Sequence, residues 1–219
     1  MSIKLRFAFI GDTFGGKSHI SNLIVNNFLL CDNVQKTIGF DYFVRYYDLN
    51  NKKYQITFYD FSGDDKYQSM IDSKNYYSIM DGIFIVFDIT NLRHINNLFS
   101  WIKKVSRFNK YIYILGNKSD MESKYIFYAK SLIYELAKYH IIHNYIMISV
   151  NEPESIKYCF NSMINHVIYS QQPLIEPIIN CDNNITNNDT SNDNKTIQKD
   201  TLFDILTTPS KILSFFKKK

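Results

Sequence analysis

The residues Gly11-Asp12-Thr13-Phe14-Gly15-Gly16-Lys17-Ser18 could do chemistry together. Glycines let backbone N–H groups turn inward around phosphate oxygens. Lys17 can set its ammonium against β- and γ-phosphates, and the Ser18 hydroxyl suits Mg²⁺. A GxxxxGK[ST] run is informative only between a strand and a helix. Residues 5–10 form an apolar run, and Ile20, Leu23, Ile24 and Phe28 recur at helical spacing. The start of that helix adds a dipole favourable to an anion.

The elements that must position this loop can be read along the chain. Residues 43–49 and 54–59 read as an extended pair turned at Asn50-Asn51. The second of them delivers Asp60-Phe61-Ser62-Gly63 toward the phosphates. Residues 65–79 are mixed and weakly helical. Residues 83–87 are an unbroken apolar run opened by Gly82, the pattern of a strand covered on both faces. Ile95, Leu98, Phe99, Ile102 and Val105 follow at helical spacing. Residues 111–115 form another buried strand, ending at Gly116-Asn117-Lys118-Ser119-Asp120. Ala129, Leu132, Ile133 and Leu136 mark a helix, and residues 145–149 a last strand. Asn151-Glu152-Pro153 reads as a helix start. From it a stripe runs through Ile156, Cys159, Phe160, Met163, Ile164, Val167 and Ile168, read as core packing. Alternating strands and helices predict a doubly wound α/β domain over residues 1–170, with a mostly parallel sheet and helices on both faces. Gly11, Asp60, Asn117 and Ser149 all fall at strand ends, where such sheets bind ligands.

Composition narrows the function classes. At 219 residues and 45% hydrophobic, the chain has material for one core plus a tail. No apolar run reaches the ~20 residues that cross a bilayer, and the first residues do not read as a signal peptide. Cys31, Cys159 and Cys181 form neither a metal pattern nor a disulfide framework, so a reduced cytosol is expected. His19, His94, His140, His143 and His166 form no ligand set. A net charge of +4 is too mild to argue for nucleic acid. Residues 180–194 are dominated by Asn, Asp, Thr and Ser, which predicts a disordered stretch in the tail 171–219. Apolar residues return from Leu202 to Phe216, before Lys217-Lys218-Lys219. That end reads as either a solubilising terminus or an amphipathic segment for anionic membrane or a partner.

From about Lys4 to Ser170 the chain resembles the Ras superfamily of small GTPases, and within it the Rab family. The carrying residues are the phosphate loop, Thr37, Asp60-x-x-Gly63 and Asn117-Lys118-Ser119-Asp120, in family order. Ile38-Gly39-Phe40-Asp41-Tyr42, Tyr76-Tyr77 before Gly82, and Ile85-Val86-Phe87-Asp88-Ile89-Thr90 resemble Rab stretches. The resemblance implies a P-loop NTPase fold with a six-stranded sheet, and a GTP/GDP switch with Mg²⁺. It implies Ser18, Thr37 and Asp60 as the metal set. Residues 11–18 and His19 would hold the phosphates, with Gly63 offering its N–H to the γ-phosphate. Asp120 would accept two N–H bonds from guanine, which adenine cannot offer, with Asn117 and Lys118 bracing the loop. Ser149 matches the start of the final base-contacting motif, and Val150 and Asn151 depart from it, leaving that contact to backbone N–H groups.

The resemblance places Lys17, Thr37, Gly63 and Asp64 around the reacting phosphate. Asp64 stands where the family has a glutamine that orients water, so slow intrinsic hydrolysis is expected. Phe14 replaces a small residue of the loop, so its ring must point away from the phosphates. The aromatic that stacks on the base is ambiguous between Phe28 and Leu29. Tyr42, Tyr59 and Tyr76 match a surface read by effector proteins, and exchange factor and activating protein are expected at the same two switch regions. A monomer in vesicle traffic, cytoplasmic or peripheral on a host or endomembrane surface, is expected. The tail lacks the family's terminal prenylation cysteines. The alternative is a nucleotide-locked scaffold or decoy for Rab partners. A P-loop kinase fits less well, because no lid arginines are evident.

Overall fold

A computed structural model describes residues 2–28, 35–49, 51–108 and 110–170. Leu29, Cys31, Asn50, Cys181 and the tail 171–219 lie outside the described residues. The elements are β1 (Ile3–Ile10), α1 (Lys17–Val25), β2 (Phe40–Leu49), β3 (Lys52–Phe61), α2 (Asp65–Ser73) and a 3₁₀ turn (Tyr76–Ile79). They continue with β4 (Gly82–Asp88), α3 (Leu92–Ser106), β5 (Tyr111–Asn117), α4 (Ile126–Ala137), β6 (Asn144–Met147) and α5 (Pro153–Ser170). The six strands lie in the order β2-β3-β1-β4-β5-β6. Among the described residues only the β2–β3 pair is antiparallel; β1–β3, β1–β4, β4–β5 and β5–β6 are parallel.

The alternation of strand side chains builds a core on each face. In β1, Leu5, Phe7 and Phe9 join one core, and Ala8 and Ile10 join the other. β4 divides the same way, Phe84 and Val86 against Ile83, Ile85 and Phe87. The first core takes Ile20, Leu23 and Ile24 of α1 and the whole predicted stripe of α5. It is rich in aromatic rings: Phe9 stacks on Phe84 at 5.0 Å, Phe43 on Phe58 at 5.0 Å, and Phe58 meets Phe160 at 5.0 Å. Each such ring removed from water contributes about 1.5–3 kcal/mol. The second core takes Ile95, Leu98, Ile102 and Val105 of α3, Ala129 and Ile133 of α4, and Ile71 of α2.

Helix ends follow local chemistry. Asn91 caps α3 by accepting the Arg93 N–H at 3.0 Å, and Pro153 opens α5, where a missing N–H costs nothing. α1 ends at Val25, before Phe28, whose ring instead meets Phe160 edge-on at 6.4 Å within the first core. Among the described residues no helix is long and apolar enough to cross a membrane.

Candidate functional site

The parallel strands put the loops after β1, β3, β5 and β6 at one end of the sheet, where a cleft of about 470 Å³ opens. It is lined by Thr13, Phe14, Gly16, Lys17, Ser18 and His19 from the first loop and helix. Gln35, Lys36 and Thr37 add a second wall; Phe61, Ser62 and Gly63 a third; Asn117, Lys118, Asp120, Met121, Ser149, Val150 and Asn151 the fourth. Gly11, Asp12 and Gly15 shape the loop from behind.

The loop between β1 and α1 curls around Lys17, whose Nζ donates to the carbonyls of Gly11 at 2.9 Å and Asp12 at 2.8 Å. Burial brings the Lys17 ammonium down to about 8, opposed by the charges of Asp60 and Asp12. Gly16 sits at φ +98°, and a Cβ there would lie 2.0 Å from Nδ2 of Asn117. That amide donates instead to the Gly15 carbonyl at 2.9 Å, tying the loop after β5 to the phosphate loop. Gly63 packs so closely that a Cβ would lie 2.4 Å from the Gly11 carbonyl oxygen. Phe14 adopts φ 67° and is 80% exposed. The Asp12 side chain points to α3, accepting Nδ2 of Asn97 at 2.7 Å and the Trp101 indole N–H at 2.8 Å. Sequence reasoning missed both partners.

Three segments meet beneath Ser18. Its Oγ lies 2.8 Å from Thr37 Oγ1, which donates to Asp60 Oδ2 at 2.9 Å. The other Asp60 oxygen, Oδ1, is buried and has no hydrogen-bond partner among the described residues. Burial pushes the Asp60 carboxyl up, against bonds from Ser18 and Thr37 and the charge of Lys17. A desolvated carboxylate oxygen beside two hydroxyls is a hard oxygen-donor set, and it fits Mg²⁺. Among the described residues no group of three or more His, Cys, Asp or Glu side chains could hold a metal; this set draws on two hydroxyls.

At the other end of the cleft, Lys118 takes φ 66° and pairs with Asp88 at 2.5 Å. Asp120 is exposed and accepts Ser149 Oγ at 2.6 Å and Asn151 Nδ2 at 2.8 Å. Those two bonds, in that order, hold the Asp120 carboxyl below its usual range. The Asn151 side chain, expected to leave recognition to backbone groups, thus reaches the carboxylate itself. Phe28 packs in the core away from the cleft lining.

Asp64 lies just past Gly63. Its carboxylate caps α2 through the Lys66 N–H at 3.3 Å and pairs with Lys36 Nζ at 2.9 Å. The Lys36 bond, then the Lys66 one, keeps its carboxyl below the ordinary range. Beyond it, Tyr42 is 66% exposed and pairs with Tyr59 at 6.2 Å, while Phe40 bridges Tyr59 at 6.2 Å and Tyr76 at 5.1 Å. Tyr42, Tyr59 and Tyr76 therefore share one aromatic surface, with Tyr59 and Tyr76 half-buried.

Fold and cleft together define a nucleotide-binding protein of the P-loop class, with an α/β sheet of Ras type. The model of the Ras family matches residues 6–169. Ras-related protein Rab-19 of Xenopus laevis is 27% identical over 166 residues, 73% of this chain and 74% of that protein. Ras-related protein Rab-11B of Dictyostelium discoideum is 29% identical over 165 residues, 74% of this chain and 72% of that protein. GTP-binding protein ypt1 of Schizosaccharomyces pombe is 30% identical over 134 residues, 59% and 61% of the two chains. The chain belongs to the Ras family and is a Rab-like member of the small GTPases.

Proposed function

We propose that this chain is a Mg²⁺-dependent GTP/GDP switch that recruits effector proteins in vesicle traffic, with slow intrinsic hydrolysis. The observation that carries the reading is the meeting of Ser18, Thr37 and Asp60 around a buried carboxylate oxygen that has no partner among the described residues. Those residues come from the phosphate loop and two separate switch segments, so occupancy there ties all three together. The relative ypt1 is named for GTP binding, which agrees. Mg²⁺, when bound, would neutralise phosphate charge. Ser18, Thr37 and Asp60 would hold it. Lys17 would exchange its two carbonyl bonds for phosphate oxygens. The Gly63 N–H would donate a bond to the γ-phosphate only in the triphosphate state, pulling the second switch inward. Asp120 would select guanine, and Asn117 would keep the base loop in register with the phosphate loop.

Slow turnover follows from Asp64. An ionised carboxylate accepts hydrogen bonds but donates none, so it cannot polarise water as a glutamine amide does. Its bonds to Lys36 and to the start of α2 also hold it in place. Single-turnover hydrolysis should be raised about tenfold or more by Asp64→Gln; an unchanged rate counts against the assignment. The same position favours the second reading, a nucleotide-locked scaffold for Rab partners. Phosphate release with and without an activating protein separates the two, because a scaffold stays silent in both. The nucleotide that co-purifies, identified by chromatography, tests the whole reading: guanine nucleotide is expected, and its absence at generous Mg²⁺ rejects it.

Residues 1–170 would form the switch domain, acting as a monomer, with Tyr42, Tyr59 and Tyr76 as the surface for effectors, exchange factor and activating protein. The tail 171–219 would either solubilise the chain or meet anionic membrane. Liposome co-sedimentation of the full chain against one ending at Ser170 decides; only excess sedimentation of the full chain selects the membrane role.

A further inference from the structure

The loop after β6 departs from the family pattern at Asn151, and its side chain is built into the base end of the cleft. The Asn151 backbone N–H donates to Ser149 Oγ at 3.0 Å, and that hydroxyl donates to Asp120 Oδ1 at 2.6 Å. The Asn151 amide closes the ring by donating to Asp120 Oδ2 at 2.8 Å. The loop itself is fixed from behind. Glu152 N–H bonds the Ser149 carbonyl at 3.0 Å, and the Ser149 N–H bonds Ser155 Oγ, in the first turn of α5, at 3.2 Å. The Ser119 N–H bonds the Ile148 carbonyl at 3.0 Å, so the loop carrying Asp120 is sewn to the same support.

A carboxylate has roughly four acceptor positions, two on each oxygen. Ser149 takes one position on Oδ1 and Asn151 one on Oδ2. One on each oxygen remains, which is the pattern a bidentate donor pair needs. Guanine supplies such a pair in its N1–H and exocyclic amine. With a single tether the carboxylate could rotate about its last bond. With one tether per oxygen its plane is fixed. A bidentate partner depends on that plane far more than a partner offering one N–H does.

We propose that Asn151 is a positioning residue for base selection: it fixes the plane of the Asp120 carboxylate so that both oxygens meet guanine at once. This rests on the nucleotide reading above. It adds a role to a side chain outside the residues expected to contact nucleotide.

The test uses the full chain and two nucleotides, GDP and inosine diphosphate, whose base keeps N1–H and lacks the exocyclic amine. Dissociation constants are measured for the wild type, Asn151→Ala and Asn151→Asp. Asn151→Ala should weaken GDP by about tenfold, the scale of one hydrogen bond to a charged group. It should weaken inosine diphosphate less, so the ratio between the two narrows. Asn151→Asp, near-isosteric but without the donor, sets a second anion beside Asp120 and should weaken GDP further. Asn151 is exposed, so thermal melts of both variants should match the wild type. Unchanged GDP affinity and ratio in both variants overturns the proposal. Equal weakening of both nucleotides also overturns it, since that is general loosening of the loop. If the wild type binds neither nucleotide, the site reading itself fails, a result distinct from the other two.

Discussion

Phe14 holds φ 67° with 80% of its surface open, so its backbone carries a penalty that its ring does not offset by packing. A left-handed conformation costs a side-chain-bearing residue roughly 1–2 kcal/mol. Glycine removes the penalty and gives back part of the gain through its freer unfolded chain. Phe14→Gly should therefore raise stability by about 0.5–1 kcal/mol. The check is a higher urea midpoint at unchanged slope. Strain of this kind gathers at functional loops, and here it falls in the phosphate loop. Lys36 and Asp64 form the other residue-scale departure. Their ion pair joins the segment before Thr37 to the start of α2. Lys36→Ala should leave the fold intact, because exposed pairs contribute little to stability. It should speed amide exchange in both segments, and exchange equal to wild type rejects the link.

At the scale of elements, α3 acts as a strut for the phosphate loop. Asn97 and Trp101 lie one helical turn apart on α3 and donate to opposite oxygens of Asp12. Trp101→Phe keeps most of the packing and deletes the indole N–H. It should cost about 2 kcal/mol, the range of a hydrogen bond to a charged group, read by denaturant unfolding. The strut also marks the limit of what the sequence makes legible. The phosphate loop, the apolar strands and the motif at Asn117 are local patterns, and the structure places each at the predicted strand end. α5 and its buried stripe are legible for the same reason. The partners of Asp12 lie 85 and 89 residues away and obey no spacing rule. Lys36 with Asp64, and Asn151 with Asp120, are likewise contacts across the fold. Their one trace in the sequence is that Asp64 and Asn151 stand where the family pattern breaks.

For the whole molecule, two histidines set an acid limit. His94 Nδ1 accepts the Asp88 N–H at 3.3 Å, and His143 Nδ1 accepts the Ile112 N–H at 3.1 Å. Both roles require the unprotonated nitrogen. Burial lowers both imidazoles, partly offset at His94 by Asp12 and Asp88 and reinforced at His143 by His166. The unfolded chain binds these protons near about 6.5, while the native state resists them to lower pH. Stability is therefore fully present above that value and falls as pH drops below it. Melting temperature should decline between about pH 6.5 and 5, and His143→Gln should flatten the slope. An unchanged slope in that variant assigns the decline elsewhere.

The Trp101 indole that anchors Asp12 is the single tryptophan in the chain. Its emission should change when that carboxylate moves, which would make it a built-in optical reporter of the loop. Mixing with ligand in a stopped-flow instrument can follow loading and release in real time, on unlabelled material.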